Sequence, residues 1–536
     1  MAAVTNSLFN RHQYRIEEVI NKNIEVFMPA LDPVWEDTIV SSQGVVGSNE
    51  LGRDMHVIKV YMGSMNGVIE EGAANYGDVT LYGDTTTAFG VKLHQQNLNQ
   101  TWPNPLDGAN ATPYRLAIPM RSMMTNLMLT LGELQAEATP AFIGEVIAPK
   151  LEGFARNIAH TLCNMWYVSQ NSSYSLCAMT SITNSGATVT FSPGNLATDR
   201  FSIGQRVDIY AASGVYRKND TLANTTGVGQ DKTTRIQLYV TKVDELRNVV
   251  ELTSNVAVAS WGPGVVPVAG DLIVYANSGA GASPSFKGIA GINSWMKTGD
   301  SNGATNNNVN TLLGAEAIAA DAINVNTHPE FKSFFRAVNG VLTEHELRKT
   351  LRGFHRAKTK HGQYIDCLIA SDGVWLAYEG ARIGREFTPR GYGDLSSLRA
   401  QGSSNGDPHK GGFVFTMDGR NYTGYTSNYI ETGTVYGIRK GGNNWRRIVP
   451  PDPKGVSSNE RVKSHIPFRF VAGAITGTGT NRLPIYQTSS GNAGAVNLLT
   501  EGAQMPGMLR MQIMPWDQPA GLKMTGLTED RVYADS

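Results

Sequence analysis

Two stretches in the first third of the chain carry apolar residues at helical spacing, and the first covers residues 14–27. Its apolar face consists of Ile16, Ile20, Ile24 and Phe27, with Val19 beside them. This pattern predicts one amphipathic helix within an otherwise irregular first 45 residues. We expect this helix to be an arm that lies on another surface.

A longer apolar stripe follows between residues 140 and 169. Thr139 fits an N-cap, and Pro140 fits the first helical position. The stripe, spaced i, i+3 and i+7, consists of Leu151, Phe154, Ile158, Leu162, Met165 and Trp166. Pro149 indicates a kink or a restart in the middle. The sequence therefore predicts about thirty residues of helix, roughly 45 Å at 1.5 Å per residue.

Shorter segments alternate apolar and polar residues, which predicts strands. Residues 55–62 and 114–120 are two such strands, separated by a polar, glycine-rich stretch. Residues 50–119 together predict an extended β excursion with little core of its own, so we expect it to need a partner surface. Residues 186–285 hold only short alternating strands and turn clusters, which predicts an inserted small β-barrel or sandwich of about 100 residues.

Helical signals return over residues 312–357. One helix is predicted in "HPEFKSFFRAV", with Pro329 in its first turn and its end near Gly340. A second helix is predicted after Thr343, and Glu346 completes a capping box with that residue.

The remaining third predicts strands, turns and one more helix. "YIDCLIAS" (364–371) predicts a buried strand, and "DGVWLAYEGAR" predicts the helix that follows it. Residues 390–412 are polar and glycine-rich, which predicts a mobile loop. Residues 416–447 hold four tyrosines and six glycines, which predicts strands bent at the glycines. Residues 448–536 predict further strands and proline-rich turns.

Composition narrows the class of protein. The 536 residues are 41% hydrophobic but only 17% charged, and 57 of them are glycine. A charged fraction below the ~25% typical of soluble globular chains fits a β-rich protein with polar, weakly charged surfaces. The 46 basic and 46 acidic side chains cancel, so global charge supplies no attraction toward nucleic acid or anionic membrane.

The cysteines and the N-terminal residues indicate in which cellular compartment the protein is made. Cys163, Cys177 and Cys367 form no CxxC pair and cannot all be bridged, so neither a disulfide framework nor a zinc site is expected. The first residues lack the apolar core of a signal peptide, and no apolar run reaches the ~18–20 residues of a membrane span. We expect a protein made in a cytoplasm without export.

Several fragments imitate catalytic motifs without their context. Ser301 and Ser404 lie in Gly-x-Ser-x-Gly sequences, but polar loop residues surround them where a nucleophile elbow needs an apolar strand. "HELRK" has Lys349 where a metalloprotease helix needs its second histidine. In "TGVGQDKT", Asp231 replaces the glycine before the lysine of a phosphate loop, and its carboxylate would repel phosphate. The sequence therefore predicts no enzyme, no cofactor and no metal site.

One basic segment is a candidate surface for nucleic acid. It consists of Arg348, Lys349, Arg352, Arg356, Lys358 and Lys360. The alternative is a solvated helix face opposite Leu347, Leu351 and Phe354. We favour the alternative, because base stacking needs aromatic residues interleaved on the basic face, and only Phe354 is near.

Three stretches resemble parts of the major capsid proteins of tailed bacteriophages, which share the Hong Kong 97-type fold. They are "TPAFIGEVIAPKLEGFARNIAHTLCNMWY" as spine helix, "FTMDGRNYTGYTSNYIETGTVYGIRK" as strands of the axial domain, and "FSIGQRVDIYA", "VTKVDELRNVVEL" and "AGDLIVYA" as a β-barrel insertion. The order of predicted elements over the whole chain is similar to this family. The resemblance implies an α+β fold with an inserted all-β domain.

The resemblance also implies a division of the chain into parts. These are an N-terminal arm (1–49), an extended β excursion or E-loop (50–119), a peripheral domain with the spine helix (120–185), the inserted β-barrel (186–285), an axial domain with connecting helices (286–430), and returning strands of the peripheral domain (431–536).

The function that the resemblance implies is structural. Such subunits assemble as hexamers and pentamers into the icosahedral shell of the virion, which encloses double-stranded DNA contacted non-specifically. The implied partners are copies of itself, a portal protein, a separate scaffold protein and, in some members, a decoration protein. Two alternatives stay open: the shell of a cellular nanocompartment, whose subunits are usually shorter, and a secreted glycan-active enzyme, which needs a signal peptide and clustered carboxylates.

Two departures from the family pattern matter. Members that cross-link covalently use a lysine of the excursion and an asparagine of a neighbouring subunit. Here Lys59 and Lys92 lie near the base of the excursion, so we expect no such cross-link. Residues 1–45 are too short for the N-terminal scaffolding segment of some members, which implies a separate scaffold.

Overall fold

The structure is a computed structural model of the 536-residue chain. It describes residues 2–37, 39–41, 55–62, 112–119, 121–130, 148–167, 176–211, 216–218, 238–254, 257–258, 266–275, 289–299, 311–312, 323–326, 331–359, 363–386, 412–439, 445–448, 468–470, 502–515 and 521–530.

Helices and strands alternate through these residues. The α-helices are α1 (Ala2–Leu31), α2 (Val34–Asp37), α3 (Ala148–Tyr167), α4 (Ile292–Trp295), α5 (Glu344–Lys358) and α6 (Asp372–Glu386). The strands before α4 are β1 (Ile39–Ser41), β2 (Met55–Met62), β3 (Thr112–Pro119), β4 (Arg121–Thr130), β5 (Cys177–Ser185), β6 (Thr188–Pro193), β7 (Val207–Tyr210), β8 (Tyr216–Lys218), β9 (Leu238–Asp244), β10 (Val249–Ser254) and β11 (Leu272–Tyr275). The strands after α4 are β12 (Phe334–Gly340), β13 (Cys367–Ala370), β14 (Gly412–Met417), β15 (Arg420–Thr426), β16 (Val435–Ile438), β17 (Trp445–Ile448), β18 (Phe468–Phe470), β19 (Gly502–Pro515) and β20 (Leu522–Leu527).

The N-terminal helix α1 packs on α3. Ile20, Ile24 and Met28 are buried in this contact region, whereas Val19 is 42% exposed. The apolar face read from the sequence is therefore the buried face. The helix itself extends beyond the predicted residues 14–27 at both ends.

Helix α3 carries the predicted apolar stripe into the core. Its buried residues are Leu151, Ala155, Ile158, Ala159, Leu162, Cys163, Asn164, Met165, Trp166 and Tyr167. The helix has 20 residues, about 30 Å of length at 1.5 Å per residue. Pro149 lies in its first turn, where a missing N–H leaves no helical hydrogen bond unmade. The predicted cap, Thr139 with Pro140, lies outside the described residues.

A five-stranded sheet is built around the long strand β19. This strand pairs antiparallel with β4 along ten residue pairs, from Gly502↔Thr130 to Met511↔Arg121. It also pairs with β18 and β17, and β1 extends the sheet parallel to β17. The chain's final third thus completes a sheet begun before α3.

Strands β2 and β3 form a separate antiparallel ribbon of eight residue pairs, from Met55↔Pro119 to Met62↔Thr112. Among the described residues, neither strand pairs with any other strand. The two strands confirm the prediction at 55–62 and, with small shifts, at 114–120. Residues 63–111, the rest of the predicted excursion, are not among those described.

Strands β5 to β11 form one sheet in the order β8-β7-β11-β5-β6-β10-β9. Arg206, next to β7, bridges to Tyr239 of β9, and the Val240 N–H donates to the Gln205 carbonyl at 2.9 Å. Six of the strands therefore close into a small barrel, and β8 lies outside the ring. The first strand begins at Cys177, before the start predicted at residue 186.

A second mixed sheet has the order β12-β20-β16-β13-β15-β14. Helices α5 and α6 cover it, and Phe354 and Trp375 of these helices share a buried cluster with Leu368 and Leu522 of the sheet. Residues 431–536, which the resemblance assigns to returning strands of a peripheral domain, contribute β16 and β20 to this second sheet. Strand β16 pairs with β13 and β20, and β20 also pairs with β12.

The helix predicted in "HPEFKSFFRAV" is wrong. Residues Phe334–Gly340 form β12, where half-buried and exposed side chains alternate and Phe334 pairs in parallel with Leu522. Pro329 and Gly340 fit helix boundaries, but burial alternates every second residue and the segment pairs with β20, so it forms a strand.

Candidate functional site

The structure describes only some of the residues that imitate catalytic motifs. Ser301, Ser404 and Asp231 lie outside the part of the chain that the structure describes. His345 and Lys349 are exposed on α5. Within the described residues, no three His, Cys, Asp or Glu side chains are grouped closely enough to hold a metal ion.

Two arginines of the basic segment pair with carboxylates on α5 and in the β14–β15 turn, and Lys360 lies outside the described residues. Arg352 donates two hydrogen bonds to Asp418, from Nε to Oδ2 at 2.6 Å and from Nη2 to Oδ1 at 2.8 Å. Arg348 donates to Glu344 at 3.0 Å and lies 3.9 Å from Asp418. The Arg352 hydrogen bond lowers the pKa of Asp418, so the carboxylate stays charged. These contacts support the solvated-face interpretation over a phosphate-binding one.

Asp418 is held in place by the turn between β14 and β15. Asp418 and Gly419 both have positive φ, 52° and 75°, as an Asp-Gly type I′ hairpin turn requires. Beside the turn, Arg420 donates to His355 Nδ1 at 2.8 Å, so His355 Nε2–H donates to the Tyr422 hydroxyl at 2.7 Å. Burial and the Arg420 charge lower the pKa of His355, which favours its neutral form. The cluster fixes the hairpin to α5.

A buried carboxyl lies where α1, α3 and the second sheet meet. Asp32, after α1, accepts hydrogen bonds from the Val34 N–H at 3.2 Å and the Ser427 hydroxyl at 3.3 Å. Tyr167 of α3 lies beside it, and Cys163 of α3 faces the Met28 carbonyl at 4.0 Å. Burial raises the pKa of Asp32 from 3.8 to about 7, more than these contacts lower it. The junction therefore changes charge near neutral pH.

A second polar cluster attaches the β-barrel to α3. Arg200, 5% exposed, ends the 3-10 helix Gly194–Arg200 and donates to the carbonyls of Leu176 at 2.7 Å and Tyr429 at 3.1 Å. Asn164 of α3 donates to the Arg200 carbonyl at 3.1 Å. Backbone carbonyls thus satisfy a buried guanidinium at the point where barrel, helix and second sheet meet.

His160 completes this attachment. Its Nδ1 lies 3.0 Å from Asn164 Nδ2, which can only donate, so Nδ1 accepts and Nε2–H faces the Ser202 hydroxyl at 3.2 Å. Its ring also packs edge-on against Tyr429 at 5.4 Å. Burial and Arg156 lower the pKa of His160, so this neutral tautomer is favoured at neutral pH.

A third polar cluster lies on the second sheet where β16 meets β20. Tyr436 and Lys523 are directly paired across these strands. The Asn293 side-chain oxygen accepts from the Tyr436 hydroxyl at 2.7 Å and from Lys523 Nζ at 2.9 Å. Glu431 approaches all three groups, at 3.3 Å from the Tyr436 hydroxyl and 3.5 Å from Lys523 Nζ and Asn293 Nδ2.

Sequence reasoning identified none of these three clusters. Asp32 precedes Pro33, a signal that a helix ends, but that signal says nothing about burial. Arg200 and Lys523 belong to no local motif, and each has a distant partner: Tyr429 lies 229 residues from Arg200, and Asn293 lies 230 residues from Lys523.

The cysteines do not add chemistry to these clusters. Cys163, Cys177 and Cys367 are buried and form no disulfide with one another. Burial raises the pKa of Cys177 to about 12, so it stays a thiol rather than a nucleophilic thiolate. In the described part of the chain, no helix combines the length and apolar character needed to span a membrane.

Comparison with known proteins gives structural but not sequence matches. No family model and no curated protein matches the chain. The capsid asymmetric unit of cyanophage A-1(L) aligns over 94% of this chain and 93% of its own, with 10% identity and a TM-score of 0.35. The holo-SrpI encapsulin complex of Synechococcus elongatus PCC 7942 aligns over 38% of this chain, with 12% identity and a TM-score of 0.20. The chain spans 56% of that encapsulin's length. TM-scores below 0.5 do not establish a common fold.

Proposed function

We propose that this chain is a shell-forming subunit, the major capsid protein of a tailed bacteriophage. The observation that carries the proposal is the β2–β3 ribbon, whose eight residue pairs join no other strand among the described residues. An isolated two-stranded ribbon is marginally stable in water and leaves both edges open. A neighbouring subunit is the surface that a repeating shell supplies to such a ribbon.

The arrangement around the ribbon supports the same proposal. Helix α3 follows the ribbon and β4, the barrel follows α3, and a mixed sheet with α5 and α6 follows the barrel. This is the order of excursion, spine helix, insertion and axial domain that the sequence resemblance implies. Under this proposal α1 is the arm, β1, β4 and β17–β19 form the peripheral sheet, and β12–β16 with β20 form the axial sheet.

The polar, weakly charged composition also suits this function. With only 17% charged residues and no net charge, many identical surfaces can meet without strong repulsion. The proposed partners are copies of the chain in hexamers and pentamers, a portal protein, a separate scaffold protein and packaged double-stranded DNA. No catalytic activity is part of this function.

Electron microscopy and sedimentation of the purified chain, alone and with its scaffold, test the proposal. We expect closed shells of phage size. Small closed shells loaded with protein cargo would instead identify a cellular nanocompartment. A monodisperse monomer under every assembly condition would overturn both interpretations.

A further inference from the structure

We propose that Asp32 makes the attachment of residues 29–37 to the rest of the chain sensitive to pH. The protonated carboxyl holds this segment in place, and the carboxylate lets it detach locally. The segment consists of the last turn of α1, the link that follows it and α2. The proposal concerns a single chain and does not depend on the proposed function.

Asp32 bonds the segment to itself and to the second sheet. Its N–H donates to the Met28 carbonyl of α1 at 2.9 Å, and its carbonyl accepts from the Trp35 N–H of α2 at 3.1 Å. Its carboxyl accepts from the Val34 N–H at 3.2 Å and from the Ser427 hydroxyl, directly after β15, at 3.3 Å. One side chain therefore joins the end of α1, the start of α2 and the end of β15.

A negative charge at this position is not compensated. Asp32 is 0% exposed, and in the described part of the chain neither carboxyl oxygen pairs with a lysine, an arginine or a histidine. Burial of an unpaired carboxylate is costly, and one amide and one hydroxyl donor offset only part of that cost. Burial accordingly raises the pKa of Asp32 from 3.8 to about 7.

The groups that face the carboxyl from the other elements do not supply a compensating charge. Cys163 and Tyr167 face it from α3, and Tyr429 faces it from the segment after β15; burial raises the pKa of all three, so each stays protonated. Arg200 donates to backbone carbonyls, and His160 packs against the Tyr429 ring at 5.4 Å. Helices α1 and α2 contribute buried apolar side chains here.

Two features of α1 confine the change to its C-terminal end. Asn21 Oδ1 accepts from the Phe468 N–H at 2.8 Å, and Asn21 Nδ2 donates to the Phe468 carbonyl at 3.1 Å. This attachment to β18 is uncharged at any pH. Pro29 lies inside α1 and has no N–H to donate, which weakens the helix at that point. The helix can therefore open at Pro29 while its earlier turns stay on α3.

The pH range of the effect follows from the two states of the carboxyl. In the detached segment the carboxyl is in water, and its pKa returns from about 7 to its ordinary value of 3.8. Between these values detachment releases a proton, so each rise of one pH unit favours the detached form tenfold. The attachment is therefore strongest below pH 4, weakens by about 10³-fold up to pH 7 and changes little above that.

Hydrogen exchange of the unassembled full-length chain, followed by mass spectrometry from pH 4 to 8, tests the proposal. After correction for the pH dependence of chemical exchange, we expect the opening equilibrium of residues 32–36 to rise about 10³-fold. Residues 20–24 of α1 should stay more protected at every pH. Low urea concentrations should not change the exchange of residues 32–36, because a local opening exposes little surface. Equal opening of the two segments at every pH would overturn the proposal.

Two variants assign the effect to Asp32. Asp32→Asn should remove the pH dependence of exchange in residues 32–36, because an amide does not titrate in this range. Glu152→Gln, which removes an exposed carboxylate of α3, should retain it. A folded Asp32→Asn chain with the wild-type pH dependence would assign the effect to another group, such as His160, and refute the proposal. If the asparagine variant does not fold, the comparison of the two segments in the wild type still decides.

Discussion

Replacing Asp32 with asparagine should make the subunit more stable at neutral and basic pH but not at acidic pH. The carboxyl is fully buried where the end of α1 meets α3 and Ser427, and burial raises its pKa from 3.8 to about 7. Between these two pH values the unfolded carboxyl is ionised while the folded one stays protonated. The folded wild-type protein therefore loses stability as pH rises from about 4 to about 7.

The size of the effect follows from the two pKa values. Raising the pKa from 3.8 to about 7, at about 1.4 kcal/mol for each pKa unit, corresponds to about 4 kcal/mol. Below pH 4 the protonated carboxyl and the amide have nearly the same shape and charge, so Asp32→Asn should match the wild type. Above pH 7 it should exceed the wild type by up to about 4 kcal/mol.

Urea unfolding of unassembled subunits at several pH values between 4 and 8 measures this difference. Trp35 and Trp166 lie in the same buried region, with ring centroids 6.1 Å apart, so their fluorescence reports on this junction. Cys163 and Tyr167 also face the carboxyl, but burial raises the pKa of both, so neither titrates in this range.

Asp418→Asn is a control, because the pKa of Asp418 is shifted in the opposite direction to that of Asp32. The Arg352 hydrogen bond lowers the pKa of Asp418, so the stability it contributes is present at neutral pH and is lost as pH falls through the folded pKa. A stability difference between wild type and Asp32→Asn that stays constant from pH 4 to 8 would refute the reasoning.

Four further changes test the core, the backbone and residues 74–86. Ile158→Asp buries an unpaired carboxylate in α3 at a cost of several kcal/mol, so the chain should be insoluble on expression. Soluble, folded protein would show that the apolar stripe of α3 is not part of the hydrophobic core. Gly433→Ala should destabilise the subunit by about 1–3 kcal/mol in urea titrations, because φ is +65° and a Cβ would lie 2.5 Å from the Leu527 carbonyl oxygen. At the helical position Gly153, an added Cβ would meet no atom within 4 Å beyond the nearby backbone of its own helix. Gly153→Ala should therefore stabilise the subunit by up to about 1 kcal/mol. Deleting residues 74–86 should leave the calorimetric melting temperature near that of the wild type but prevent shell formation in sedimentation, and intact shells would contradict the role assigned to the excursion.

Elements with a strong local signal could be predicted from the sequence. The strand at 55–62 has the predicted bounds, and the Thr343 hydroxyl accepts from the Glu346 N–H at 3.3 Å, as its capping position predicts. The same capping box is incomplete, because the Glu346 carboxylate pairs with Arg336 of β12. The charged partner, Arg336, lies on a neighbouring strand, so the local sequence around Glu346 does not predict this pairing.

The clusters at the junctions could not be predicted, because their residues meet only after the sheets form. Ser427 lies 395 positions from Asp32, and Tyr429 lies 229 positions from Arg200. Each side chain taken alone fits an ordinary turn or strand end. Only tertiary pairing decides which polar groups become buried together, and periodicity within one segment carries no information about it.

The C-terminal segment connects the folding of both main sheets. Strand β19 pairs with β4, which precedes α3, and β20 pairs with β12 and β16 in the other sheet. Closing such long loops costs conformational entropy before the strand contacts can offset it, so we expect these pairings to form late in folding. Until residues 502–527 are made, β4 lacks its β19 partner, and β12 and β16 lack β20. Under the proposed function, a subunit therefore reaches its assembly-competent shape only after residues 502–527 are made, which keeps chains that lack them out of the growing shell.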